Sequence, residues 1–91
     1  MDIGNDVYFV ERDKQKYYPA KIVNIVGEKL VDLVVFGYKD DEGVYQTCYR
    51  YNVLHVSVAY GTKANTFWTY HKHLYGTMSM IKNEAGRPGE Q

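Results

Sequence analysis

Three histidines, one cysteine and an acidic triplet are the residues of this 91-residue chain whose types and spacing could do chemistry. His71 and His73, two apart, would share one side of an extended segment. A metal site would need His55 to join them from another strand. No cysteine pair or carboxylate stands at a ligand spacing nearby, so these are expected to be surface or polar-interface histidines with no metal. Cys48 could serve as a nucleophile only beside a base and an oxyanion hole. Nothing local builds either, and it reads as a small buried hydrophobe. Asp40-Asp41-Glu42 lacks the alternating ligands of a calcium loop and reads as a solvated loop. The glycines sit at turns without a phosphate-cradling pattern. No catalytic residue, enzyme activity or cofactor is therefore expected.

The aromatic residues point instead to recognition. Ten residues are tyrosine, a side chain that joins a large apolar ring to a polar tip and is favoured at contact surfaces. Tyr8, Tyr18, Phe36 and Trp68 are suited to filling or capping a thin core. Ten tyrosines and a tryptophan exceed what one such core can hold, so several rings must lie outside it. Tyr45, Thr47, Tyr49 and Tyr51 alternate with Val44, Gln46, Cys48 and Arg50, the pattern of a strand with an aromatic stripe. Tyr38, Tyr45, Tyr49, Tyr51, Trp68 and Tyr70 are the candidate protein-contact residues, Trp68 standing in both sets.

The elements that must position these rings read as strands. Val7 to Val10 is a short β-type run after Gly4-Asn5-Asp6. In the next run Pro19 lies near the start, Ala20, Ile22 and Val26 share a face, and a bulge near Asn24 would turn Ile25 inward. Gly27-Glu28-Lys29 closes a hairpin onto Leu30 to Phe36, where Val31, Leu33 and Val35 share a face. Residues 37 to 43 form a projecting polar loop between glycines. Val44 to Tyr51 is a strand that Asn52 breaks. Val53 to Tyr60 is read as extended, and so is Phe67 to Leu74, with Trp68, Tyr70 and Lys72 on one side, a helix being the alternative for that segment. The fold class is all-β: a small barrel or strongly bent antiparallel sheet of five or six strands. From Asn83 apolar periodicity is lost and a loose tail is expected.

Length and charge narrow the partners. A chain this short hides only about 60% of its unfolded surface, so its core is thin. Eleven basic residues balance eleven acidic ones, which disfavours nucleic acid as a partner. A single cysteine fits a reducing compartment and cytoplasmic synthesis. The acidic first residues are not those of a signal peptide, and no apolar run approaches the roughly 20 residues of a membrane-spanning helix.

The order Val7-Tyr8-Phe9, then Tyr17-Tyr18-Pro19-Ala20-Lys21-Ile22-Val23, then Val31-Asp32-Leu33-Val34-Val35-Phe36-Gly37 resembles a small SH3-like β-barrel. More particularly it is similar to short proteins of tailed bacteriophages, with Val58-Ala59-Tyr60-Gly61 and Phe67-Trp68-Thr69-Tyr70-His71 in the closing positions. The closing segment departs from that pattern, since Asn65-Thr66-Phe67-Trp68 replaces a Gly-Thr-Trp-His-Trp ending and the chain continues. The resemblance implies an SH3-like domain over residues 1–76 and a flexible or partner-ordered extension over residues 77–91. It also implies a non-enzymatic virion accessory protein assembled in the host cytoplasm. Such a capsid decoration or head-associated subunit would contact a major capsid or head protein, or further copies of itself. The second and third runs also resemble Tudor-like domains, which implies an aromatic cage for a methylated cation at Tyr18, Phe36 and Tyr38. The Asp-Tyr-Gly-Asn type of turn expected there is replaced by Phe36-Gly37-Tyr38-Lys39.

Overall fold

The structure, a computed structural model, describes residues 1–85. Five strands, β1 (Asp6–Glu11), β2 (Lys16–Gly27), β3 (Leu30–Lys39), β4 (Tyr45–Leu54) and β5 (Thr66–Tyr70), form one antiparallel sheet in the order β4-β3-β2-β1-β5. A short helix α1 (Val56–Ala59) separates β4 from β5, and a 3-10 turn at His71–His73 leads into helix α2 (Leu74–Ala85). The sheet bends until its ends meet in an isolated parallel bridge between His55 and Trp68. This is the expected small all-β, barrel-like fold.

Bulges produce the bend. Pairing slips between Ile22 and Asn24 on β2, and an extra β4 residue lies opposite Val31–Leu33. One carboxylate ties both places: Asp32 accepts from the Asn24 side chain at 3.2 Å and from the backbone N–H of Asn52 at 2.9 Å. Asn52 sits at φ 54, where its short polar side chain is tolerated. It therefore bends β4 rather than ending it, and the strand runs on to Leu54. A further slip between Val35 and Tyr38 is centred on Gly37 at φ 64, a conformation that costs glycine nothing. That bulge returns Tyr38 to the same side as Val35, and β3 continues through Lys39, so the expected loop shortens to a turn. Ile25 does not turn inward at the β2 bulge; it and Val26 stay exposed.

Two apolar clusters lie on opposite faces of the sheet. The inner one is built on Val7, Phe9, Tyr18, Ala20, Ile22, Val31, Leu33, Val35, Val53 and Trp68. The outer one joins Val10 and Phe67 to Ala59 of α1 and to Met78 and Ile81 of α2. β1 thus feeds both, with Val7 and Phe9 inward and Val10 outward.

Two segments differ from their extended reading. After β4 the chain turns into α1, because the His55 Nδ1 accepts from the Ser57 N–H at 3.1 Å and caps the helix. Beyond Tyr70 the chain is helical, and the proposed boundary at residue 77 falls inside α2. That helix is held down by Met78 and Ile81, by a hydrogen bond from the Thr77 hydroxyl to the Thr69 hydroxyl of β5 at 3.4 Å, and by Glu84, which accepts from the Arg12 guanidinium at 2.9 Å. Residues 74–85 are therefore part of the fold, and the remainder of the expected loose extension lies outside the described residues. Among the described residues, no helix is long and apolar enough to cross a membrane.

Candidate functional site

β4 lies at one edge of the sheet, and its outward side carries the stripe. Tyr45, Tyr49 and Tyr51 are 69%, 58% and 68% exposed, with Thr47 also exposed between them. The rings of Tyr49 and Tyr51 stack with centroids 6.3 Å apart, and the Lys39 ammonium lies 5.6 Å from the Tyr45 ring centre. The alternate residues Cys48 and Arg50 are half-buried on the inner side. Large apolar rings held at such exposure on a strand form an aromatic surface already ordered by the backbone.

The other three candidate residues do not join the stripe. Trp68 is 1% exposed within the inner cluster, its Nε1 donating to the Lys29 carbonyl at 3.3 Å, so it is a core residue and not a surface contact. Tyr70, half-buried on the same inner side, meets Trp68 edge-on at 5.1 Å. Tyr38 is also turned inward by the Gly37 bulge, its hydroxyl donating to Glu11 Oε2 at 3.0 Å. Strand alternation rightly put Trp68 and Tyr70 on one side, but that side is the inside of the barrel.

Around Tyr38 lies a polar cluster that sequence reasoning missed. Glu11 is only 7% exposed, and its Oε1 is enclosed without a hydrogen-bond partner among the described residues. The Tyr18 and Tyr38 rings touch at 4.9 Å. Both hydroxyls have pKa values raised by burial, with the Glu11 carboxylate adding to the rise. The Arg50 guanidinium lies 4.8 Å from the Tyr38 ring centre and 5.8 Å from that of Phe9. The signal was available: Glu11 follows Val7 and Phe9 at period two, which places it inside. Phe36, the third cage residue, faces the opposite side, where it lines a groove of about 440 Å³ with Asp6, Tyr8, Pro19 and His71.

The residues first weighed for chemistry have structural roles here. Asp40 Oδ1 accepts from the N–H groups of Glu42 and Val44, both at 2.9 Å, and holds the β3–β4 turn. Asp41 pairs with Lys14 at 3.3 Å. His71 stacks on Tyr8 at 5.6 Å. Among the described residues, no group of three or more His, Cys, Asp or Glu side chains could hold a metal.

His55 lies between Trp68, at 4.6 Å, and Tyr70, at 5.8 Å, beside a cavity of about 260 Å³. Burial lowers its pKa, with nearby Lys29 and His73 adding to the effect. An unfolded chain therefore takes up this proton more readily, so stability should fall as pH drops from about 7 through the ordinary histidine value of about 6.5. Protonation would also cost Nδ1 its capping bond. His55→Asn keeps a capping acceptor and cannot titrate. Thermal unfolding from about pH 7 to about pH 5 should show a shallower loss in that variant than in the wild type. Parallel profiles would show that His55 carries none of the pH dependence.

The fold and this surface define a small all-β domain with an aromatic edge strand. Comparison of the chain with known protein families, curated proteins and solved structures finds no match.

Proposed function

We propose that this protein is a non-catalytic binding module that docks a protein partner on the outward face of β4. The role that best suits its resemblance is a virion accessory protein of a tailed bacteriophage, a capsid decoration or head-associated subunit bound to a major capsid or head protein. The observation that carries the reading is the uncharged stripe of Tyr45, Tyr49 and Tyr51 on an edge strand, two of its rings already stacked. Anchors of this type dominate contact energies, because they bring area without much loss of side-chain freedom.

Quantitative mass spectrometry of purified particles from the phage encoding this chain is the first test. The chain is expected in a fixed ratio to the major capsid protein. Tyr49→Ala with Tyr51→Ala is expected to lose about 2 kcal/mol or more of binding, roughly a thirtyfold drop in affinity, and to disappear from particles with its melting temperature nearly unchanged. Absence of the wild type, or full incorporation of the variant, would overturn the reading.

A second reading rests on the polar cluster. Tyr18 and Tyr38 meet beside the buried Glu11 carboxylate, two rings and an anion of the kind a cationic head group requires. It is the weaker one, because Phe36 faces away and Arg50 already lies over Tyr38. Saturable binding of a trimethyl-lysine peptide that is lost in Tyr38→Ala would favour it.

A further inference from the structure

We infer that β4 pairs antiparallel with β4 of a second copy of this chain, about a two-fold axis passing beside Cys48, so that two five-stranded sheets join into one. The inference rests on reading β4 as a contact surface and names one occupant for its free edge. Among the described residues, β4 is hydrogen-bonded to β3 on one side only, and the bridge that closes the sheet lies past its end, at His55. Edge strands are ordinarily guarded by lysine, proline or another charge. From Tyr45 to Tyr51 the only charge is Arg50, and it is directed inward over Tyr38 and Phe9. The exposed residues Tyr45, Thr47, Tyr49 and Tyr51 are all neutral, so the strand meets an identical strand without like-charge repulsion. With eleven charges of each sign, the whole chain adds no net repulsion.

The pattern also selects a register. Centring the pair on Cys48 sets Tyr45 opposite the second copy's Tyr51, and Thr47 opposite its Tyr49, so every stripe residue finds a stripe residue. Arg50 then faces Gln46. A centre two residues later would set Arg50 against Arg50. Because side chains stay perpendicular to the sheet, the tyrosines remain on its outward face, and pairing doubles the stripe rather than consuming it. A seven-residue strand pair is a small interface, so dissociation in the micromolar range is expected.

The register makes two demands that can be read separately on the whole protein. Directly opposed residues of an antiparallel pair have Cα atoms about 4.5–5.5 Å apart, within the range a disulfide spans. Treatment with diamide should therefore give a Cys48–Cys48 crosslinked dimer: the two thiols give up two protons and two electrons, the diamide becomes its hydrazine, and one S–S bond forms. Moving the thiol with Cys48→Ser and Thr47→Cys should abolish most of the crosslinking. In sedimentation, Gln46→Lys should weaken the dimer and Gln46→Glu tighten it, each by roughly threefold or more, because residue 46 faces Arg50 twice per dimer. Gln46 lies outside the stripe, so these variants test pairing separately from partner docking.

Dimerisation with Cys48 crosslinking and that order of affinities would support the inference. A monomer at concentrations on the order of 100 µM, crosslinking that follows Thr47→Cys instead, or a dimer indifferent to residue 46 would overturn it. None of those results touches the docking proposal, which is read from particle incorporation of the tyrosine variants.

Discussion

Trp68→Ala is expected to remove most of the stability of this domain. The side chain is 1% exposed, faces Phe9 across the β1–β5 pair, and closes the barrel through its bridge to His55. Truncating a buried tryptophan typically costs about 3–5 kcal/mol, through lost burial and the cavity left behind. A domain of this size holds only about 5–15 kcal/mol in total. Here the loss has a further part, because the Nε1 hydrogen bond to the Lys29 carbonyl ties β5 to the β2–β3 hairpin. Urea denaturation followed by circular dichroism should show a much lower midpoint, or no cooperative transition. Trp68→Phe keeps much of the volume and should fall between the two. An unchanged midpoint for Trp68→Ala would remove Trp68 from the core and return it to the candidate surface.

Trp68 also shows what periodicity can decide. Alternation groups residues that share a face of a strand, and it grouped Trp68 with Tyr70 correctly. It does not say which face is inside when a sheet bends so far that its two edges meet. The β2–β3 hairpin was legible because Val31, Leu33 and Val35 form a clean period-two set, with Leu33 and Val35 opposite Ile22 and Ala20. Tyr38 was not, because a bulge at Gly37 resets the alternation one step before it. The β4 stripe was legible since the bulge of that strand comes only after Arg50, at the far end of the stripe.

The helices were hidden by weak local signals. Val56 and Val58 favour strands, and α1 forms because His55 caps it and Ala59 packs under α2. In α2, Gly76 and Thr77 are poor helix formers. The decisive spacing is Leu74, Met78 and Ile81, an i, i+4, i+7 set that covers Val10 and Phe67. Tertiary packing overrides propensity in both cases.

Ile81→Asp is expected to lower the melting temperature by ten degrees or more. Ile81 is 2% exposed between α2 and the outer face of the sheet, so the substitution would bury a carboxylate among apolar side chains. Such a change costs several kcal/mol, and each kcal/mol shifts melting by about 4–8 °C in a domain of this size. Tyr75→Asp supplies the contrast: it puts the same charge in the same helix at a residue 86% exposed, and should leave melting within a few degrees. If α2 were a loose arm, the two variants would behave alike. The difference also bears on recognition. With α2 in place the outer face over β1 and β5 is covered, and the bare part is the side that carries Pro19, Phe36 and the β4 tyrosines. Unseating the helix would expose Val10 and Phe67 as a second apolar patch, so Ile81→Asp should self-associate non-specifically as it melts, while Tyr75→Asp should not. α2 thus restricts the open apolar surface of the sheet to the side where the stripe lies.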